Sequence, residues 1–147
     1  MKLLTGTNTR LLDLCLLLLR CTVGIILFVA GAGKVFGWFG GYGLAVTLNM
    51  FASNLGFSSF WTYMSSYTEL IGGLLLILGL LTRPVAFLVT INMLVATIVL
   101  GLKGFFMPGG GAYPFSLMIS SLIILLAGPM SFSLDALLEG RKMKRAI

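Results

Sequence analysis

The chain has 147 residues, of which 59% are hydrophobic and only 10% are charged. Soluble domains carry roughly 25% charged residues, so this composition excludes an ordinary soluble domain and indicates an integral membrane protein. The net charge of +6 does not indicate nucleic-acid binding, because four of the ten basic residues lie in one C-terminal run (Arg141, Lys142, Lys144 and Arg145) without an aromatic surface beside it. Such a tail is typical of a topology signal or an anionic-lipid contact.

The hydrophobic pattern predicts an all-α fold, a four-helix transmembrane bundle in a single domain. A helix needs about 20 predominantly apolar residues to cross a bilayer. The predicted spans cover about 11–34, 57–81, 84–102 and 114–129, and a basic cytoplasmic tail follows at 136–147. The segment 41–56, between the first two spans, is too interrupted to cross. It predicts a short interfacial helix.

Lysine and arginine near the span ends predict the orientation, because cytoplasmic loops are enriched in both. The N-terminus has Lys2 and Arg10, the second loop has Arg83, and the C-terminal tail has four more basic residues. The opposite side has only Lys34 and Lys103. We therefore expect both termini in the cytoplasm. Arg20 interrupts the leucine run after Lys2, which favours a retained span over a cleaved signal peptide.

The residue inventory narrows the possible chemistry. The chain has no histidine, which excludes histidine-ligated haem and the commonest zinc ligand. The four acidic residues are too scattered to predict a metal site (Asp13, Glu69, Asp135 and Glu139). Cys15 and Cys21 lie about 9 Å apart along one predicted helix, too far for a mutual disulfide, and they do not form a Cys-x-x-Cys motif. No haem, flavin or metal motif is found.

Two ionisable residues lie deep within predicted spans, and such residues are functional candidates by default. These are Arg20 and Glu69, which we take as the candidate catalytic residues. Measured from Lys34 and Phe57 as the outer helix ends, their depths differ by only about 3 Å, so we expect them to pair. Two interpretations remain open. The pair either holds two helices in register or lines a polar pocket that opens toward Lys34 and Tyr113.

Four residues are candidates for ligand binding, and all except Asn92 lie at or near the predicted outer ends of spans. Lys34 ends the first span within the motif "GAGKVFGWFGG", Asn92 is polar within the third span, and Tyr113 begins the fourth. Trp38 follows Lys34 at the expected headgroup depth, where it is either an interface anchor or a ligand contact.

Three motifs resemble the DoxX family of small bacterial membrane proteins: "LLLRCTVGIILFVAGAGKVFGWFGG", "ELIGGLLLILGLLTRPVAFLVTINMLVA" and "GPMSFSLD". The resemblance covers roughly residues 14 to 135. It implies a four-span protein of the bacterial inner membrane, in which the family's motif positions are occupied by Arg20, Lys34, Glu69, Arg83, Tyr113 and Asp135. Members often carry an acidic residue just before this tyrosine, where the present chain has Ala112.

The resemblance also implies an association with oxidoreductases, since a related family supplies the membrane subunit of thiosulfate:quinone oxidoreductase. Our first hypothesis is a redox-associated membrane subunit that binds a quinone or couples to a partner enzyme. The second is a non-catalytic assembly module that acts with a protein partner or as a homo-oligomer. A small transporter is a third, weakened by four short spans without a visible repeat.

Overall fold

The computed structural model describes residues 9–129 and 133–138, and all regular structure within them is helical. The predicted all-α class is therefore confirmed. The elements are α1 (Thr9–Phe36), a 3₁₀ turn (Trp38–Gly40), α2 (Gly43–Leu55), α3 (Ser59–Leu78), α4 (Thr82–Gly101) and α5 (Ala112–Ala127). Residues 134–138 form one further short helical segment. Helices lie at all five predicted positions, and their ends differ by only a few residues from those predicted.

Glycines in the left-handed region end two of the helices. Gly56 (φ 68°) follows α2 and Gly79 (φ 66°) follows α3, and each donates its backbone N–H to a carbonyl of the last turn. This conformation is unfavourable for residues with a Cβ and routine for glycine, so the helices end where these glycines lie.

Helices α1 and α3 pack antiparallel with their backbones in close contact, because glycines line both surfaces. A Cβ on Gly73 would lie 2.5 Å from the backbone nitrogen of Phe28, and one on Gly24 would lie 2.8 Å from the carbonyl oxygen of Gly73. A Cβ on Gly31 would overlap the backbone of Leu70. Small residues permit this close approach of helices in an apolar solvent. They also set the register, in which Gly31 faces Leu70.

Helices α4 and α5 form the second close pair. A Cβ on Gly111 would lie 2.8 Å from the Cα of Gly101, and the hydroxyl groups of Thr90 and Ser121 are hydrogen-bonded at 2.9 Å. The two pairs enclose a core of aliphatic side chains and one methionine (Val23, Leu27, Leu76, Val85, Ala86, Val89, Met93, Leu117 and Ile124).

Two helices, Arg10–Phe36 and Thr82–Gly101, are long and apolar enough to cross a membrane, and Ala112–Ala127 is a shorter apolar helix. Only 28% and 22% of the apolar windows in the two long helices are buried inside the protein. Their apolar side chains therefore face outward, which suits a lipid environment and not water. Helix α3 is not among them, because its first half is rich in hydroxyl side chains.

The predicted N-terminal and C-terminal charges lie partly outside the described residues. Lys2, Glu139 and the four basic residues of the tail fall there, so the predicted orientation rests on the sequence alone.

Candidate functional site

An ion pair between α1 and α3 forms the centre of the site. The Lys34 ammonium donates to both carboxylate oxygens of Glu69, at 2.6 and 2.5 Å. The Glu69 side chain is only 5% exposed and that of Lys34 is 27% exposed. A carboxylate at this depth needs a charged or hydrogen-bonding partner. Lys34, in the last turn of α1, supplies it and also suits the negative end of that helix.

Helix α2 lies against the lysine end of this pair. The Thr47 hydroxyl is buried and donates to the carbonyl oxygens of Gly43, at 2.8 Å, and Lys34, at 3.3 Å. The Phe51 ring lies one turn further along, with its centroid 5.7 Å from Lys34 Nζ. A ring face at this distance attracts a cation, so Phe51 contributes to holding the Lys34 ammonium in place. Thr47 and Phe51 were not predicted as site residues, although their i, i+4 spacing indicates that they share one face of α2.

Two buried polar atoms close to this level have no hydrogen-bond partner, Ser66 Oγ and Asn92 Nδ2. Ser66 lies one turn before Glu69 on the same face of α3 and is fully buried. On α4, Val85 and Val89 approach Gly72, so Asn92, one turn further on, faces α3 near the level of Glu69. Unsatisfied buried donors are rare in folded proteins and point to a partner such as water or a ligand.

Tyr113 and Trp38 differ in their relation to the pair. Tyr113 begins α5, is largely exposed, and lies close enough for the Glu69 charge to act on its hydroxyl. Trp38 instead stacks on Phe36, with ring centroids 5.0 Å apart, and against Phe39. No described contact joins Trp38 to Lys34 or Glu69, so its position suits an interface anchor.

The expected pairing of Arg20 with Glu69 is wrong. The α1–α3 register places Glu69 near Gly31, and Arg20 is about 16 Å from Gly31 along the helix axis. The prediction treated Lys34 and Phe57 as lying at one level, but α3 extends past the end of α1 and the true register differs by about 15 Å. Glycine contacts within the bundle, not the helix ends, set this register.

Arg20 belongs to a second polar cluster at the opposite end of the bundle. The residue is 5% exposed, and its guanidinium donates to the carbonyl oxygen of Pro129 at 3.2 Å and lies close to Gly79. Asp135 joins this cluster. It accepts from the backbone N–H groups of Leu81 and Thr82 and from the Thr82 hydroxyl, each at 2.8 Å. The Asp135 side chain thereby caps α4 from a distant part of the chain.

The environment of Asp135 lowers the pKa of its carboxyl group. Partial burial acts in the opposite direction, but the backbone N–H groups of Thr82 and Leu81, the Thr82 hydroxyl and the charge of Arg20 together outweigh it. Hydrogen bonds to the ionised form account for this direction.

Together, these features define a small all-helical protein with an apolar exterior, a buried charge pair at one end and an arginine cluster at the other. The DoxX family model matches residues 15–102. The chain is also 37% identical, over 127 residues, to a Bacillus subtilis (strain 168) protein named "Putative oxidoreductase CatD", which covers 86% of this chain and 89% of that protein. No solved structure matches the chain. The chain belongs to the DoxX family, whose members are membrane-associated.

Proposed function

We propose that this chain is a redox-associated membrane subunit that holds a quinone headgroup beside the Lys34–Glu69 pair and receives electrons from a partner oxidoreductase. The observation that carries the proposal is the buried ion pair with unpartnered donors close to its level, Ser66 Oγ and Asn92 Nδ2. A quinone presents two carbonyl oxygens on an apolar ring, so it needs donors inside an apolar pocket. The name of the Bacillus relative supports the redox association.

We also propose that the chain lies in the bacterial inner membrane as a four-helix transmembrane bundle. Helices α1, α3, α4 and α5 would cross the bilayer, and α2 would lie at the outer interface. The outward-facing apolar side chains of α1 and α4 support this placement. Glycine contacts between α1 and α3 support it as well, because α3 gains close packing from glycine even though its own hydropathy is modest.

The residues of the site have separate roles in this proposal. Ser66 and Asn92 would donate hydrogen bonds to the carbonyl oxygens, and the Lys34 ammonium would favour negative charge as it develops on the nearer oxygen. Glu69 would exchange protons toward the exposed side, past Tyr113. A bound quinone supplies two-electron, two-proton chemistry, and the partner enzyme is the source of the electrons.

The test compares quinone content in purified full-length wild type, Glu69→Gln and Asn92→Leu. We expect both variants to assemble and to lose most of the quinone that wild type retains. Glu69→Gln removes the negative charge that holds Lys34 in place, and Asn92→Leu removes the amide donor. Lys103→Gln is the matched control, since Lys103 lies in the outer loop and donates to the Asn54 carbonyl oxygen instead of the pair. Its quinone content should equal that of wild type.

Two outcomes would overturn the proposal. One is unchanged quinone content in a well-folded Glu69→Gln protein. The other is a stoichiometric partner whose activity survives all three substitutions, which would instead select the assembly module.

A further inference from the structure

Helices α1 and α5 leave an open groove between them at the Arg20 end of the bundle. The groove measures about 600 Å³ and is lined by apolar side chains from both helices (Leu12, Cys15, Leu16 and Leu19 of α1, and Ile123, Leu126 and Ala127 of α5). It exists because each helix has a closer partner elsewhere. Helix α1 packs on α3 through Gly24 and Gly31, and α5 packs on α4 through Gly111. Neither glycine surface faces the groove.

Both walls of the groove run toward the same end of the molecule. On α1 the lining residues follow helical spacing from Leu19 back to Leu12, which lies close to exposed Arg10. On α5 they continue to Ala127, and Gly128 follows directly. The groove is therefore apolar and extends about 10 Å along α1, and its end lies where the predicted cytoplasmic charges begin.

Arg83 lies at this end. Its guanidinium rests against the backbone of Gly128, where a Cβ would be only 2.9 Å from Arg83 Nε. Arg83 is exposed and, among the described residues, forms no ion pair or hydrogen bond. It lies in the first turn of α4, where a cation is opposed by the helix dipole. The dipole of α4 therefore does not stabilise the charge of Arg83, and no described residue supplies an anion for its guanidinium.

Two carboxylates lie at this end of the bundle, those of Asp135 and Asp13, and each has contacts other than Arg83. Asp135 accepts hydrogen bonds from Leu81 and Thr82. Asp13 lines a small adjacent cavity that also contains Arg20 and shares Leu16 with the groove. Neither carboxylate forms an ion pair with Arg83.

We propose that this groove and Arg83 form a binding site for one anionic glycerophospholipid, with an acyl chain between α1 and α5 and the phosphate on the Arg83 guanidinium. Van der Waals contact between the acyl chain and the groove walls supplies affinity, and the guanidinium supplies preference for a negative headgroup. This inference rests on the membrane placement proposed above and is independent of the quinone site.

The experiment uses the full-length protein, delipidated in a neutral detergent, and counts bound lipid by native mass spectrometry. Phosphatidylglycerol and phosphatidylcholine with identical acyl chains are added at equal concentration. Wild type should retain one phosphatidylglycerol in preference to phosphatidylcholine, by about fivefold, as expected for one basic residue at a membrane surface. Arg83→Gln should lose this preference and Arg83→Lys should keep most of it. The Lys103→Gln control, which removes a cation at the opposite end, should match wild type.

A groove variant tests the acyl contact separately. Ala127→Phe fills the groove and should weaken retention of both lipids equally, and Ile123→Phe is the alternative if that protein does not accumulate. Equal binding of the two lipids by wild type, or full preference in Arg83→Gln, would overturn the site. A co-purifying helical protein that is displaced by Ala127→Phe, with no lipid bound to wild type, would also overturn it. None of these results depends on whether quinone is present.

Discussion

Glu69 is the residue whose environment is most demanding, because a carboxylate that is 5% exposed within an apolar bundle must be paired. Lys34 satisfies it through both carboxylate oxygens, and Phe51 and Thr47 hold the lysine end in place. A buried pair of this kind is often no more stable than an apolar isostere, although removal of one member leaves the other uncompensated. The Lys34–Glu69 pair thus adds little net stability, but each of the two residues requires the other to be present.

We expect Glu69→Ala to destabilise the protein by up to about 3–5 kcal/mol, because it leaves the partly buried Lys34 ammonium without its counter-charge. The double variant Lys34→Met, Glu69→Met should lose much less, because neither charge is then left alone. The measurement is unfolding of each purified variant in detergent, as a double-mutant cycle. Additive losses from Lys34→Met and Glu69→Met would show that the two side chains do not interact.

Asp135 predicts a pH dependence of stability at the other end of the bundle. The folded state lowers the pKa of this carboxyl, so its contribution is fully present above the ordinary value of about 3.9 and is lost as pH falls through the lower folded value. Asp135→Asn should therefore be less stable than wild type at pH 7, and the gap should narrow below about pH 4. Thermal unfolding of both proteins from pH 7 to pH 3 measures this gap. A gap that widens on acidification would contradict the prediction.

At the scale of elements, glycine decides how the helices meet. The α1–α3 contact brings backbones together at Gly24, Gly31 and Gly73, and no larger residue fits there without displacement. Glycine costs roughly 1 kcal/mol relative to alanine inside a helix, so its presence in two adjacent helices indicates a packing requirement. The contact sets which residues of α1 and α3 share a level, and so it places Lys34 within reach of Glu69.

We expect Gly31→Ala to destabilise the protein by about 1–3 kcal/mol, as overpacking does, because its Cβ would overlap the Leu70 backbone. Gly101→Ala is the matched control, since Gly101 is also helical and its Cβ would meet only Phe105 Cδ2, at 3.9 Å. That variant should be neutral or slightly more stable. The measurement is thermal unfolding in detergent. Equal effects of the two substitutions would show that the glycines are not there for packing.

At the scale of the whole molecule, the charges divide between two ends. Lys34, Glu69 and Lys103 lie at the end that the sequence predicts to be external, whereas Arg10, Arg20 and Arg83 lie toward the predicted cytoplasmic end. The redox site and the lipid site proposed above would then face opposite leaflets. This arrangement allows one end to bind a ligand while the other is anchored.

A labelling experiment tests the orientation. In a background with Cys15 and Cys21 replaced by serine, Phe106→Cys in the exposed outer loop should react with a membrane-impermeant maleimide on intact cells. Arg83→Cys, at the opposite end, should react only after permeabilisation. The opposite labelling pattern would invert the proposed topology and place the Lys34–Glu69 pair toward the cytoplasm.

Much of the fold could be predicted from the sequence, because helix positions depend on local properties. Apolar runs and the glycines between them located α1 to α5, including the amphipathic α2, although the short helical segment 134–138 was not predicted. A polar residue inside or at the end of an apolar segment can be identified from the sequence alone. Four candidates were predicted in this way: Lys34, Glu69, Asn92 and Tyr113. The apolar exterior likewise follows from composition.

Only the tertiary structure decided which of these residues meet. Arg20 and Lys34 lie within about 40° of each other around α1, at 100° per residue, and nothing local distinguishes them as partners of Glu69. The choice depends on the register of α1 against α3, and a shift of about 15 Å exchanges one partner for the other. That register is set by backbone contacts between glycines of two helices, and the capping of α4 by Asp135 likewise joins residues far apart in the chain. Contacts between distant segments depend on how whole surfaces fit together, and the pattern within a single helix does not encode that fit.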